Sequence, residues 1–252
     1  MSRALSRTLA LAATTATILA LVVGCSSQPE TQMSIEPVTD KSTDCQQVAC
    51  VALTFDDGPS QYTDEVLDKL AQAQAPGTFF VLGKNVSKYP ETLQRMVSEG
   101  HQIGSHGFAH KDITTLTREE IEHEVQWSAE AIQEAAGVNP TVFRPPYGAH
   151  GAVYNRLIPT PLLLWDVDTL DWSHHDPAQT VEIALDEVQT GSVILLHDIH
   201  ESSVAAVPEL IQKLRDQGYV LVTVDELFAH TDFTAGAVYT KLDTSAGANR
   251  TP

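Results

Sequence analysis

Val51-Ala52-Leu53-Thr54-Phe55-Asp56-Asp57-Gly58-Pro59 is the stretch from which the rest of the chain can be read. Residues 51–55 have strand character, two adjacent carboxylates follow, and Gly58-Pro59 ends the strand with turn chemistry. The acids therefore sit at a strand's C-terminal end, the edge of α/β folds where loops converge on one crevice. Two carboxylates facing one site repel and raise a pKa unless a cation lies between them. A metal ion or an arginine is expected nearby. Taken alone, Asp-Asp-Gly is also an ordinary turn that merely ends a strand, so the choice rests on the residues downstream.

Those residues alternate short apolar runs with amphipathic segments. Val66, Leu67, Leu70 and Ala73 lie at helical spacing within Thr63–Gln74. Thr78–Leu82 reads as a buried strand, Pro90–Glu99 as a helix with Pro at its start and Gly100 just past its end, and His101–Gly104 as a short extended piece. Thr117–Ala136 is the clearest helix, with a Thr117/Glu120 capping box and Gly137 closing it. Val142-Phe143 is a short strand, Gly151–Leu157 has room for about two helical turns, and Leu162–Val167 is a further strand. Pro177–Gln189 (helix), Val193–Leu196 (strand), Val204–Gln217 (helix), Val220–Thr223 (strand) and Asp225–His230 (short helix) complete the alternation. Repeated strand-helix units of this length imply a parallel sheet with helices outside, as an open sheet or a barrel. From Thr231 to Pro252 no period is evident, and an irregular tail is expected.

Upstream of the first strand, Arg3 and Arg7 precede an uncharged run from Thr8 to Val23 that ends in Val22-Val23-Gly24-Cys25. Residues 1–24 have the pattern of a secretory signal, and the cysteine placed directly after it resembles a lipobox, in which Cys25 is lipidated. Cleavage near Ser26 without a lipid is the alternative. One acyl-type anchor would tether the protein at the outer face of the cell membrane without spanning it. Residues 25–44 read as a flexible spacer, leaving 45–230 as a single domain. Without Arg3 and Arg7 the 15 basic residues fall to 13 against 33 acidic, a formal charge of −20, which argues against nucleic acid as a partner. Cys45 and Cys50 would form a small disulfide loop in an exported protein.

Chemistry concentrates in a few places. Ser105-His106-Gly107-Phe108-Ala109-His110 carries two imidazoles four apart, a spacing that places both on one face of a helical turn. With Asp57 they supply two nitrogens and one carboxylate oxygen, a set that suits catalytic zinc and also non-haem iron. The serines near this region lack a Gly-x-Ser-x-Gly setting, which disfavours a serine nucleophile.

Thr54-Phe55-Asp56-Asp57-Gly58-Pro59, Ser105-His106…His110, Arg144-Pro145-Pro146-Tyr147-Gly148, Asp168-Thr169-Leu170-Asp171-Trp172 and Leu195-Leu196-His197-Asp198 resemble, in order, the five motifs of the polysaccharide deacetylases. This is the NodB-homology group, carbohydrate esterase family 4, and the resemblance spans about residues 50–230. It implies a distorted (β/α) barrel and metal-dependent removal of acetyl groups, usually from N-acetylglucosamine units. By the same resemblance Asp57, His106 and His110 would bind one divalent ion, with zinc first and cobalt an alternative. Asp56 would be general base, paired with Arg144. His197 would be general acid, held by Asp171, and the Tyr147 backbone N–H would face the developing oxyanion. Trp172 and Leu195 would line the acetyl pocket. The chain departs from the family in a shortened unit between Gly148 and Leu162.

These readings point to a monomeric, lipid-anchored deacetylase of GlcNAc-containing polysaccharide, with peptidoglycan the first candidate and chitin or poly-GlcNAc glycans next. The alternatives are an O-acetyl esterase acting on xylan and a non-catalytic glycan-binding lipoprotein.

Overall fold

A computed structural model describes residues 43–244. The expected signal peptide, Cys25, most of the spacer and the last eight residues lie outside the described residues. In chain order the first elements are β1 (Cys50–Asp56), α1 (Thr63–Ala73), β2 (Thr78–Val81), α2 (Gly83–Val86), α3 (Pro90–Ser98) and β3 (Gln102–Ser105). Next come α4 (Arg118–Ala136), α5 (Ala152–Asn155), β4 (Leu162–Leu163), β5 (Val167–Asp168), α6 (Asp171–His174) and α7 (Pro177–Glu187). The last are β6 (Val193–His197), α8 (Glu201–Asp216), β7 (Val220–Val222), α9 (Val224–Leu227) and β8 (Val238–Tyr239).

The main sheet is parallel, in the order β3-β2-β1-β6-β5. β1 is its centre. One edge of β1 pairs along Ala52–Asp56 with β6, while the opposite edge is shared, Cys50–Ala52 with β7 and Thr54–Asp56 with β2. Beyond β3, single bridges run from Ser105 to Phe143 and from Phe143 to Leu162 of β4, and β4 pairs with β8. A bridge from Ser192 to Lys241 then returns the chain to the start of β6. The sheet thus curls into an irregular barrel in which several staves are reduced to one or two residues.

Alternation along each strand divides the side chains between two cores. Val51, Leu53 and Phe55 of β1, Phe79 and Val81 of β2, and Ile194 and Leu196 of β6 pack outward against Val66, Leu67 and Leu70 of α1 and Val207, Leu210 and Ile211 of α8. Ala52, Phe80 and Val193 point the other way, into a second cluster with Leu163 and Val222. Asp56 and His197 are register partners at the C-terminal ends of β1 and β6, so the inward-facing rows of both strands finish in polar groups.

The helices follow their sequence signals closely. Thr117 and Glu120 form the capping box of α4, which Gly137 closes at φ 73°, and Asp176 caps α7 by accepting from the N–H groups of Ala178 and Gln179. Cys45 and Cys50 are disulfide-bonded, with Cα atoms 5.4 Å apart, pinning the segment that enters β1.

Three expectations are corrected. Leu162–Val167 is not one strand: β4 pairs with β8, β5 pairs with β6, and the residues between turn their polar groups elsewhere. The Asp166 carboxylate accepts from Ser192 Oγ at 2.8 Å and from the Val193 N–H at 2.7 Å. The helix in 151–157 is a single turn, α5. The third correction concerns the tail, because residues 231–243 are built into the barrel. β8 supplies a stave, Phe233 and Tyr239 pack on Phe228, and Leu242 is buried with its N–H donating to the Gly191 carbonyl at 2.9 Å. A short apolar pair between Ala237 and Thr240 carries too little periodicity to reveal such a strand. Leu242→Ala is expected to cost about 2–5 kcal/mol in chemical denaturation, whereas a loose tail would give a change within about 0.5 kcal/mol.

Candidate active site

β1 delivers Asp56 inward, 2% exposed, and the chain then turns at Asp57 with φ 74°. His110 and Tyr147 also hold positive φ, both at 62°. Left-handed backbone at non-glycine residues costs about 1–3 kcal/mol each and persists only where the surroundings fix it. Three such residues at one sheet edge mark it as a place where side-chain direction outweighs backbone ease.

Asp57, His106 and His110 converge there, each offering one ligand atom within 4.8 Å of the others. His110 Nε2 is 3.1 Å and His106 Nε2 3.5 Å from Asp57 Oδ1. The expected helical turn is absent: residues 106–110 form a loop, bent by Gly107 at φ 75° and by His110. His106 Nδ1 donates to the Arg144 carbonyl at 2.7 Å, which leaves the Nε2 lone pair aimed at the carboxylates. Burial, the largest influence, pushes the His106 pKa down to about 3, so the ring is neutral at ordinary pH. Asp57 Oδ1 is buried and has no hydrogen-bond partner. Two nitrogens, at least one with its lone pair free, and an oxygen lacking a donor fit a divalent cation, which binds neutral imidazole and carboxylate together.

Arg144, wholly buried, sits beneath this group. Its Nη1 donates to Asp56 Oδ1 at 2.7 Å and to Thr54 Oγ1 at 2.8 Å, its Nε to the Leu163 carbonyl at 2.9 Å and its Nη2 to the Leu164 carbonyl at 2.8 Å. The guanidinium carbon lies 3.9 Å from the centroid of the Phe80 ring. These two carbonyls explain the break between β4 and β5. Burial raises the Asp56 carboxyl above its ordinary value, while the charge and hydrogen bonds of Arg144 oppose the rise.

Across the cleft, His197 Nδ1 lies 2.8 Å from Asp171 Oδ1. Asp171 Oδ2 accepts from the His197 N–H at 2.8 Å and from Ser203 Oγ at 2.5 Å. Burial alone would lower the His197 pKa, but the Asp171 hydrogen bond and charge, with Asp56 and Asp57, push it up to about 9. Burial works upward on Asp171, and the bonds to His197 and Ser203 bring it below its ordinary value.

The cleft has a volume of about 390 Å³ and is lined by Asp56, Asp57, His106, His110 and His197, with Leu195, Trp172, Tyr147, Trp165 and Asp168. Tyr147 is 70% exposed and its ring meets that of His110 at 4.6 Å. Trp165, Ser203 and Asp198 carry no sequence-based assignment. Trp165 fills the space against Gly148, where a Cβ would come within 3.2 Å of its ring. Asp198 is buried behind Gly58, accepts from Thr63 Oγ1 at 2.5 Å, and a Cβ at Gly58 would fall on its carboxylate. His101 is structural, its Nδ1 accepting from the Gly77 N–H at 3.1 Å. His175 and His200 meet edge to face at 4.6 Å near the rim, 6.3 Å from His200 to His197.

Residues 43–158 match the family model described as polysaccharide deacetylase, and a T48 deacetylase solved with substrate shares 69% identity over 78% of this chain and 99% of that one, with a TM-score of 0.78. The chain belongs to the polysaccharide deacetylase family. Among curated members it is 40% identical to the peptidoglycan-N-acetylmuramic acid deacetylase PdaC of Bacillus subtilis, over 70% of this chain and 38% of that protein. It is 38% identical to the peptidoglycan-N-acetylglucosamine deacetylase PgdA of Listeria monocytogenes, over 71% of this chain and 38% of that protein. The chain therefore aligns with less than two fifths of the length of each. A family 4 acetyl xylan esterase from Clostridium thermocellum, solved with a cobalt ion, matches at 29% identity and a TM-score of 0.73, covering 77% of this chain and 99% of that one.

Arg144→Met leaves Asp56 buried without a counter-charge and is expected to cost about 3–5 kcal/mol in chemical denaturation. For His197, a folded-state pKa of about 9 above the ordinary 6.5 means that its contribution to stability is complete below about 6.5 and is lost as pH rises through 9. In metal-free protein followed by NMR titration, His197 should titrate near 9, and Asp171→Asn should bring it to 6.5 or lower. A parent value at 6.5 would contradict the ion pair.

Proposed function

We propose that this polysaccharide deacetylase hydrolyses N-acetyl groups on GlcNAc-containing polysaccharide, with peptidoglycan as first candidate. The observation that carries the reading is the buried, donor-less Asp57 Oδ1 facing His106 and His110, flanked by a raised-pKa carboxyl on one side and an imidazolium on the other. Asp57, His106 and His110 hold one divalent ion, zinc first, which when bound supplies Lewis acidity to the acetyl carbonyl and to water.

The remaining chemistry belongs to the protein's own side chains. Asp56, buried and raised above its ordinary value, takes the proton of the attacking water, and Arg144 fixes the direction of its free oxygen. The backbone N–H of Tyr147 faces the oxygen on which charge develops. His197, protonated because Asp171 sits behind it, donates its proton to the departing nitrogen. An amide nitrogen leaves poorly without that proton. Trp172 and Leu195 shelter the acetyl methyl group.

The names of PdaC and PgdA favour a cell-wall glycan and differ in the sugar, N-acetylmuramic acid for one and N-acetylglucosamine for the other. A lipid on Cys25 would place the domain at the outer face of the membrane, within reach of the wall; that placement rests on the N-terminal sequence alone. O-deacetylation is the second reading, favoured by the likeness to the acetyl xylan esterase.

Acetate release from peptidoglycan fragments carrying each sugar, GlcNAc oligomers and acetyl-xylan separates these readings. Activity should vanish with a chelator and return with zinc or cobalt, and Asp56→Asn should lower turnover about 10²- to 10⁴-fold while the protein still binds metal. Faster release from acetyl-xylan than from every N-acetylated glycan would favour the esterase. No acetate from any of them would end the enzyme reading.

A further inference from the structure

We infer that Glu124 of α4 is a positioning residue for the metal site, holding the loop between His106 and His110 in its ligating shape. This rests on the metal-site reading proposed above and reaches beyond the five motifs, none of which contains Glu124.

The buried stripe of α4 is Ile121, Glu124, Ser128 and Ile132. A carboxylate therefore occupies a position where the helical period calls for an apolar side chain. Burying it costs free energy unless hydrogen bonds compensate. Glu124 Oε2 accepts from the Phe108 N–H at 2.9 Å and from the Ala109 N–H at 2.7 Å, and Lys111 Nζ lies 3.6 Å from Oε1. Both amides belong to the three residues that separate the histidines.

That loop is not self-supporting. Gly107 and His110 both have positive φ, a conformation that forms no helical ladder. Every peptide from 107 to 109 is held from outside instead. The Gly107 N–H donates to Ser105 Oγ at 3.3 Å, and Ser105 Oγ is 2.9 Å from Ser128 Oγ of α4. The carbonyls of Gly107 and Phe108 accept from the N–H groups of Gly83 and Lys84, each at 3.0 Å, and the Ala109 carbonyl from Lys84 Nζ at 3.4 Å. Within this set Glu124 alone takes two amides on one oxygen, so it fixes the consecutive 107–108 and 108–109 peptide planes, one residue short of His110. Withdrawing that oxygen leaves those planes held through their carbonyls alone, which loosens the turn into His110 and the aim of its ring at Asp57.

The test is zinc affinity, measured by chelator competition on metal-stripped protein, with the melting temperature of each variant recorded in chelator. Glu124→Gln keeps an oxygen in place and should bind Zn²⁺ nearly as tightly as the parent. Glu124→Asp keeps the charge but retracts it, and Glu124→Leu removes the acceptor; each should weaken binding about 10- to 100-fold, beyond any change in metal-free melting. Should Glu124→Leu fail to fold, the contrast between Gln and Asp carries the test. Parent-like affinity in Glu124→Asp, or affinity in Glu124→Gln as weak as in Glu124→Asp, would overturn the inference. A parent protein that binds no Zn²⁺ would instead overturn the metal-site reading itself.

Discussion

The guanidinium of Arg144 is the constraint on which the barrel's upper edge depends. A fully buried cation requires nearly all of its donors to be met, and here they are met by Thr54 and Asp56 of β1 and by the carbonyls of Leu163, which ends β4, and of Leu164 just after it. Its own backbone is committed as well, the N–H donating to the Ser105 carbonyl and the carbonyl accepting from His106. One residue thereby sets the position of a carboxylate, the tautomer of a histidine and the point at which a strand breaks. Stability and site geometry are consequences of the same set of bonds.

Around that cation the protein creates opposite electrostatic conditions for identical side chains. His106 and His197 are both largely buried, yet one is pushed to about 3 and the other to about 9. Burial disfavours the charged ring in both cases. The difference is the partner on Nδ1: a neutral peptide carbonyl for His106, the Asp171 carboxylate for His197. The cleft therefore has a neutral nitrogen on the side suited to a cation and a proton donor on the other. Burial raises Asp56 above its ordinary value, and the charge and hydrogen bonds of Arg144 oppose the rise.

Much of this was legible in the chain because it is local. Thr117 and Glu120, Asp176-Pro177 and Gly137 mark helix ends through contacts within a few residues, and those helices are found where they were expected. The alternation of 51–56 and 193–197 likewise puts Asp56 and His197 at strand ends. The parts misread are those where distant partners override local pattern. LLLWDV looks like one strand, and only Arg144 and Ser192, each brought in from elsewhere, divide it. Residues 231–243 look unstructured, and only the free edge of β4 and the pocket beside Gly191 give Val238, Tyr239 and Leu242 a place. Ser203 and Glu124 sit on helices like many other polar residues, and nothing within a few positions of either shows what it faces.

The sequence by itself determined the class of fold, the order of the strands' chemistry and the three residues able to share a cation, because strand alternation, helix capping and ligand type are short-range properties. The tertiary structure decided how the barrel closes, which carboxylate is left without a donor, and which histidine is neutral and which charged. Those depend on burial and on partners far away along the chain, whose proximity exists only once the strands have been brought side by side.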